Sequence, residues 1–251
     1  MSVRRCIAGA VLGAITLSGC GTAASGTVAP VVPSKSPARS SPKPKPKPVR
    51  VTYPADGGGA FAAAKGERAP QGRGRVLRYR VLVEKDIKGI KPAAFASTVR
   101  ATLADSRGWT ASGDVSFRRV GRDEVRDFTI YLVTPGTRDE LCQGGRDGYT
   151  SCRNGDRVVL NVARWVKGVP RYGAPLSVYR QYLVNHEVGH RLGNGHEKCP
   201  DKGGPAPVMQ QQTLGLHGCR ANPWPYLDGE RLRGASGVYD DPVPEPDRGV
   251  A

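Results

Sequence analysis

Three of the chain's four histidines fall in one short stretch, His186-Glu187-Val188-Gly189-His190-Arg191-Leu192-Gly193-Asn194-Gly195-His196. His186 and His190 are four positions apart, so on a helix they stand one turn apart on one face and can offer imidazole nitrogens to a single ion. Glu187 lies beside the first of them, where a carboxylate can act as general base on water held near that ion. Gly193 is placed to end the helix, because a left-handed residue past the last turn costs glycine little. The turn that follows can return His196 as a third ligand. Three protein ligands suit a catalytic zinc site, since they leave one position open for water or substrate.

The pattern His-Glu-x-x-His-x-x-Gly-x-x-His, carried here by His186, Glu187, His190, Gly193 and His196, resembles the signature of the metzincin clan of zinc endopeptidases. The resemblance implies one catalytic Zn2+ held by His186, His190 and His196, with Glu187 as base. It implies a methionine in a tight turn beneath the metal, and Met209 in Pro205-Ala206-Pro207-Val208-Met209 follows His196 closely enough to be that residue. It also implies a peptide or protein substrate laid as an extended strand along a sheet edge. Val158 to Val162 is the candidate edge, and the same apolar run suits a strand buried on both faces equally well. Tyr226 lies farther past Met209 than the clan's oxyanion-stabilising tyrosine and is given no catalytic role. From about Arg75 to Tyr226 the chain is similar to a family of secreted and lipid-anchored proteins of high-GC Gram-positive bacteria, from which no activity carries over.

The elements that must position these residues show as periodicities. In Val76 to Val83, Leu77, Tyr79, Val81 and Val83 alternate on one face, which predicts a half-buried strand. Pro92 opens a helix in which Phe95, Val99 and Leu103 recur at helical spacing. Val115 to Val120, Phe128 to Val133 and Arg157 to Val162 read as three more strands. From Leu176 an amphipathic helix runs through Tyr179, Leu183 and the two motif histidines to Leu192. The expected fold class is α+β and metzincin-like: a twisted mixed sheet of four to five strands with two main helices, the second carrying the zinc motif. Past Gly193 the chain is rich in glycine and proline and is expected to be irregular; Gly229 and Gly234 weigh against a short helix over Leu227 to Val238. Trp109, Trp165 and Trp224 are expected to pack the core or its rim.

The front of the chain excludes itself from that core. Met1-Ser2-Val3-Arg4-Arg5 followed by the short apolar run Cys6 to Leu17 reads as a signal peptide over residues 1–19. Leu17-Ser18-Gly19-Cys20 resembles a lipobox, which implies diacylglyceryl modification of Cys20 and attachment to the outer face of the plasma membrane, with secretion as the alternative. Residues 20–71 are small, polar, and rich in proline and lysine, so a disordered linker is expected there. The peptidase domain is expected over 72–240, with a disordered tail over 241–251.

Outside the signal peptide and Cys20, Cys142, Cys152, Cys199 and Cys219 remain, an even number for an oxidising compartment. The sequential pairing, Cys142 with Cys152 and Cys199 with Cys219, is favoured among the three that four cysteines allow. A structural zinc on Cys199, Cys219 and His217 is the competing reading; His217 otherwise reads as structural or surface.

The net charge of +16 suits attraction to anionic wall polymers or lipid. Lys35, Arg39, Lys43, Lys45, Lys47 and Arg50 all lie in the front segment, where the default reading of such a run is a solvated tail. No nucleic-acid recognition motif accompanies this charge, so nucleic acid is not expected as a partner. The expected function is extracytoplasmic zinc-dependent endopeptidase, working as a monomer through a zinc-bound water and Glu187. Two alternatives stand beside it. One is a non-catalytic metal-containing envelope lipoprotein that binds wall polymers, and the other is an amide hydrolase acting on peptidoglycan peptides.

Overall fold

Alternating apolar runs become strands here and helically spaced ones become helices, assembled around one sheet. The computed structural model describes residues 49–142 and 144–250, which lie in one compact unit. Its strands and helices run in the order β1 (Tyr53–Pro54), β2 (Phe61–Ala63), β3 (Gln71–Gly72), β4 (Arg75–Glu84), α1 (Pro92–Leu103), β5 (Val115–Arg119), β6 (Phe128–Val133), α2 (Pro135–Cys142), β7 (Cys152–Asn154), β8 (Arg157–Asn161), α3 (Val162–Lys167), α4 (Leu176–Arg191), β9 (Tyr226–Leu227), β10 (Glu230–Arg231) and β11 (Gly249–Val250).

The class is α+β. The main sheet has the order β3-β5-β4-β6-β8-β7, with β2 paired beside the far end of β4. Strands β4, β5, β6 and β8 are parallel, whereas β2, β3 and β7 join antiparallel. Seven strands exceed the four to five expected. The additional ones, β2, β3 and β7, are two or three residues long, too short to show a period.

One face of the sheet presents Val81, Val83, Ile130, Leu132, Val158 and Leu160 to a core shared with Phe95 and Val99 of α1 and with Tyr179 and Leu183 of α4. The other face turns Val133 and Val159 toward Cys142 of α2. Burial of each such aliphatic side chain stabilises by about 1.5–3 kcal/mol, and the alternation along β8 fixes which residues face α4. Helix α1 starts with Pro92 in its first turn. Helix α4 ends at Leu192, where Gly193 takes φ of 90° and Asn194 N–H donates to the Gly189 carbonyl at 3.0 Å. Helices α2 and α3 were not legible as periodicities. The buried positions of α2 include Thr137 and Arg138, and α3 follows directly from β8 because the Asn161 side chain caps it by accepting from Ala163 N–H.

Three expectations are corrected. Residues 49–71 are not linker: β2 and β3 extend the sheet, and Tyr53 and Ala64 are buried. These residues add to sheet edges through backbone hydrogen bonds, which composition does not report. The remainder of the expected linker, the signal peptide and Cys20 lie outside the described residues. The tail is not free either. Strand β11 pairs with β1, and the Asp247 carboxylate accepts from Tyr53 Oη at 3.1 Å and Lys167 Nζ at 2.7 Å. Finally, Val158 to Val162 is not the sheet edge, because β8 lies between β6 and β7 and its Val-Val-Leu run is covered on both faces. The edge strand on that side of the sheet is β7.

After α4 the chain makes a β9–β10 hairpin where a helix was doubted, and otherwise turns. Buried amides hold it in place of regular structure. Gln212 Nε2 donates to the carbonyls of Pro207 and Asn222, and Asn222 Nδ2 donates to those of Ala206 and Trp224. Disulfides join Cys142 to Cys152 and Cys199 to Cys219, the sequential pairing. They fit an oxidising, extracytoplasmic compartment. Among the described residues no helix is long and apolar enough to cross a membrane.

Candidate metal centre

His186 and His190 lie on the face of α4 that looks into a cleft of about 260 Å³ between the helix, the edge strand β7 and the loop after Met209. Each imidazole is oriented by its other nitrogen. His186 Nδ1 donates to the Val208 carbonyl at 2.8 Å, and His190 Nδ1 donates to the Asn194 carbonyl at 2.9 Å. A carbonyl can only accept, so both Nε2 atoms are left as lone pairs directed into the cleft, the arrangement in which a metal-ligating histidine is held by a backbone oxygen behind it.

The turn capped by Gly193 returns His196 to the same point. Nε2 of His190 stands 3.2 Å from Nε2 of His186 and 3.0 Å from Nε2 of His196. Two imidazole ligands at about 2.0–2.1 Å from a tetrahedral zinc stand about 3.3 Å apart, so the spacing fits one such ion. The three side chains form a cluster able to hold a metal ion, with ligand atoms all within 4.8 Å of one another.

Burial sets the protonation state that such a cluster needs. It holds His186 well below the usual imidazole value, with His190 and His196 adding to the effect, and it lowers His190. His196 is pushed down to about 4, by burial first and by His190 second. All three are therefore neutral near pH 7, the form in which histidine binds metal.

Glu187 is 4% exposed, and its Oε2 is buried without a hydrogen-bond partner. Burial raises its carboxyl to about 8, against the pull of Arg138 and Arg153. An unpartnered buried carboxylate oxygen is costly in a purely structural role. A cation at the three nitrogens would supply its missing counter-charge and lower it again. The donor set and the orphaned oxygen thus both fit a divalent metal with a water beside it.

Met209 is fully buried beneath the cluster's helix. A Cβ on Gly189 would stand 2.4 Å from the Met209 Sδ and 2.6 Å from Trp109 Cζ2, so only glycine permits this approach. The Met209 carbonyl accepts from Glu197 N–H at 3.1 Å, which ties the turn to the residue after His196. Tyr182 Oη donates to the Gln210 carbonyl at 3.0 Å, holding the same turn from α4.

The Cys142–Cys152 bridge anchors β7 to α2, and Cys152 borders the cleft. The Cys199–Cys219 bridge spans the irregular part and removes the structural-zinc reading; His217 instead pairs with Asp241 at 2.8 Å and stacks on Tyr239. Glu197, the residue after His196, pairs with Arg231 at 3.3 Å and does not border the cleft. Tyr226 does not border the cleft, and all three tryptophans are buried. Sequence reasoning missed Tyr182 and Arg153 as cleft residues. Tyr182 was legible one turn before His186 on the same helical face. Arg153 was hidden because β7 is too short to be seen as a strand.

The fold and site therefore define an α+β domain in which two histidines of a helix and a third from the turn after it converge closely enough to hold a metal ion, facing an edge strand. The chain belongs to the family described as "Protein of unknown function (DUF3152)", which matches residues 47–218 and so includes all three histidines, Glu187 and Met209. No curated protein and no solved structure matches the chain significantly.

Proposed function

We propose that this chain is an extracytoplasmic zinc-dependent endopeptidase, resembling the metzincins in how it builds its centre. The observation that carries the proposal is the buried, unpartnered Oε2 of Glu187 in the same cleft as three converging imidazoles. A metal held for structure alone has no use for a free carboxylate beside its open side. His186, His190 and His196 would hold the ion, and zinc there would supply Lewis acidity toward a carbonyl and acidify water.

Glu187 accepts the proton of the water that attacks the scissile carbonyl carbon, and delivers it to the amine nitrogen as the C–N bond breaks. Among the described strands β7 pairs with β8 alone, so an extended peptide can add to its other side along the cleft. Met209 and Gly189 keep the floor of the site closely packed. Lipidation at Cys20 would tether this chemistry to the outer face of the membrane, and the two disulfides suit that side.

Zinc content and digestion of a peptide library by the reconstituted full chain test the reading together. One zinc per chain is expected, with cleavage abolished by chelator. Glu187→Gln should retain the metal and lose activity by at least about a hundredfold, the contribution of a positioned general base. Undiminished hydrolysis by that variant, or a chain that takes up no metal, would sink the proposal.

A further inference from the structure

Two cations act on the Glu187 carboxylate, Arg138 and Arg153, and they differ in what else they hold. Arg138 is fully engaged. Its Nη1 donates to Asp139 and to the Gly145 carbonyl, Nε to the Thr150 carbonyl and Nη2 to Thr150 Oγ1, with Asp147 2.9 Å from Nη2. Arg153 has no such partner: among the described residues its exposed guanidinium makes no hydrogen bond and no ion pair.

Its position is set by the pleat of the edge strand. Cys152 is bridged to Cys142 on α2, and Asn154 Nδ2 donates to the Leu141 carbonyl, so both neighbours turn to the α2 face. Successive side chains of a strand alternate, so Arg153, opposite Val158 of β8, projects to the face of α4 and the three histidines. It borders the cleft, and its field reaches His190 as well as Glu187. Among the residues lining the cleft, Glu187 is the one acidic side chain and Arg153 the one lysine or arginine.

A free cation beside a cluster built to hold a metal opposes loading of that metal. A guanidinium in that position presents a planar fork of N–H donors shaped for a carboxylate. In a loaded cleft a divalent ion and Arg153 outweigh Glu187 and leave a net positive charge, which an anion on the bound strand offsets in part. We infer that Arg153 is the recognition site for a carboxylate on the peptide strand that pairs with β7, so that the preferred substrate is an acidic peptide with its carboxylate within about two residues of the cleaved amide. Cleavage of that peptide rests on the peptidase reading; its binding rests on the cleft alone. A glutamate or aspartate side chain and a free chain-terminal carboxylate share this chemistry.

The test is binding, measured by fluorescence anisotropy on the zinc-loaded full chain carrying Glu187→Gln. The probes are labelled, C-terminally amidated octapeptides with Glu, Gln or Lys at each of the central positions, and the Gln series again with a free C-terminus. In at least one register the Glu peptide should bind about tenfold tighter than its Gln counterpart. Arg153→Gln should reduce that ratio to about one, Arg153→Lys should restore part of it, and Arg153→Glu should shift the preference to Lys. Tight binding confined to Gln peptides with a free terminus would place the carboxylate at a chain end and would support the same site. Equal binding of Glu and Gln peptides, no binding of any probe, or an equal loss on both in Arg153→Gln would overturn it. Repeating the series with Glu187 intact separates the two readings. Acid-selective binding without hydrolysis sinks the peptidase and leaves Arg153 standing, whereas hydrolysis without acid preference does the reverse.

Discussion

The two halves of the site are held by different physics. His186, Glu187 and His190 ride on α4, which is locked to the sheet by an apolar core in which Tyr179, Leu183, Val158 and Leu160 are all buried to within about a percent of completely. His196 and Met209 sit on chain with almost no regular structure, held by buried amides, a disulfide and close contact with α4. Core burial is non-directional and tolerant of sequence, so it can build a scaffold from pattern alone. A polar network is directional and fails when one member is lost, but it can place a backbone carbonyl behind an imidazole, as Val208 does for His186. The scaffold supplies stability, and the irregular part supplies the last of the three imidazoles and the orientation of the first.

That contrast can be broken most severely from the scaffold side. Leu160→Ala should cost about 2–5 kcal/mol and unfold both halves together, read as a single lowered urea midpoint with metal binding lost in the same transition. Loss of the Cys199–Cys219 bridge, as the double serine variant, should cost about 2–4 kcal/mol but act on one side only. Hydrogen exchange should rise over residues 193–223 while the sheet stays protected and metal affinity falls; equal loss of protection in β4 and β6 would refute the division. Gly189→Ala attacks the contact between the halves. The added methyl meets Met209 Sδ and Trp109, so about 1–3 kcal/mol of stability should be lost with helix content intact and zinc affinity reduced.

The smallest effect concerns the tail clasp. Burial raises the Asp247 carboxyl, but the hydrogen bonds from Lys167, the Gly249 amide and Tyr53 outweigh it and hold the group below the usual carboxylate value. A depressed carboxyl contributes its stability above the unfolded-state value near 4 and loses it as pH falls through the folded one. Amide protection of β1 and β11 should therefore fade below about pH 4 before the sheet is affected, and Asp247→Asn should remove that pH dependence.

Much of this molecule was legible before any fold was known, for reasons the two halves again separate. The spacing of His186, His190 and His196 fixes which atoms can converge once a helix and a glycine-capped turn are granted, and the alternation in β4, β6 and β8 identifies the core because burial leaves a period in the chain. An even set of cysteines outside the signal peptide and Cys20 pointed to two bridges. What only the tertiary structure decided is everything carried by backbone pairing and single polar contacts. The strands within residues 49–72, the clasp of Asp247, the identity of β7 as the edge and the isolation of Arg153 leave no periodic trace. Each depends on which distant segment arrives beside it, and a hydrogen bond to a main-chain group can be made by almost any residue that the fold brings within reach.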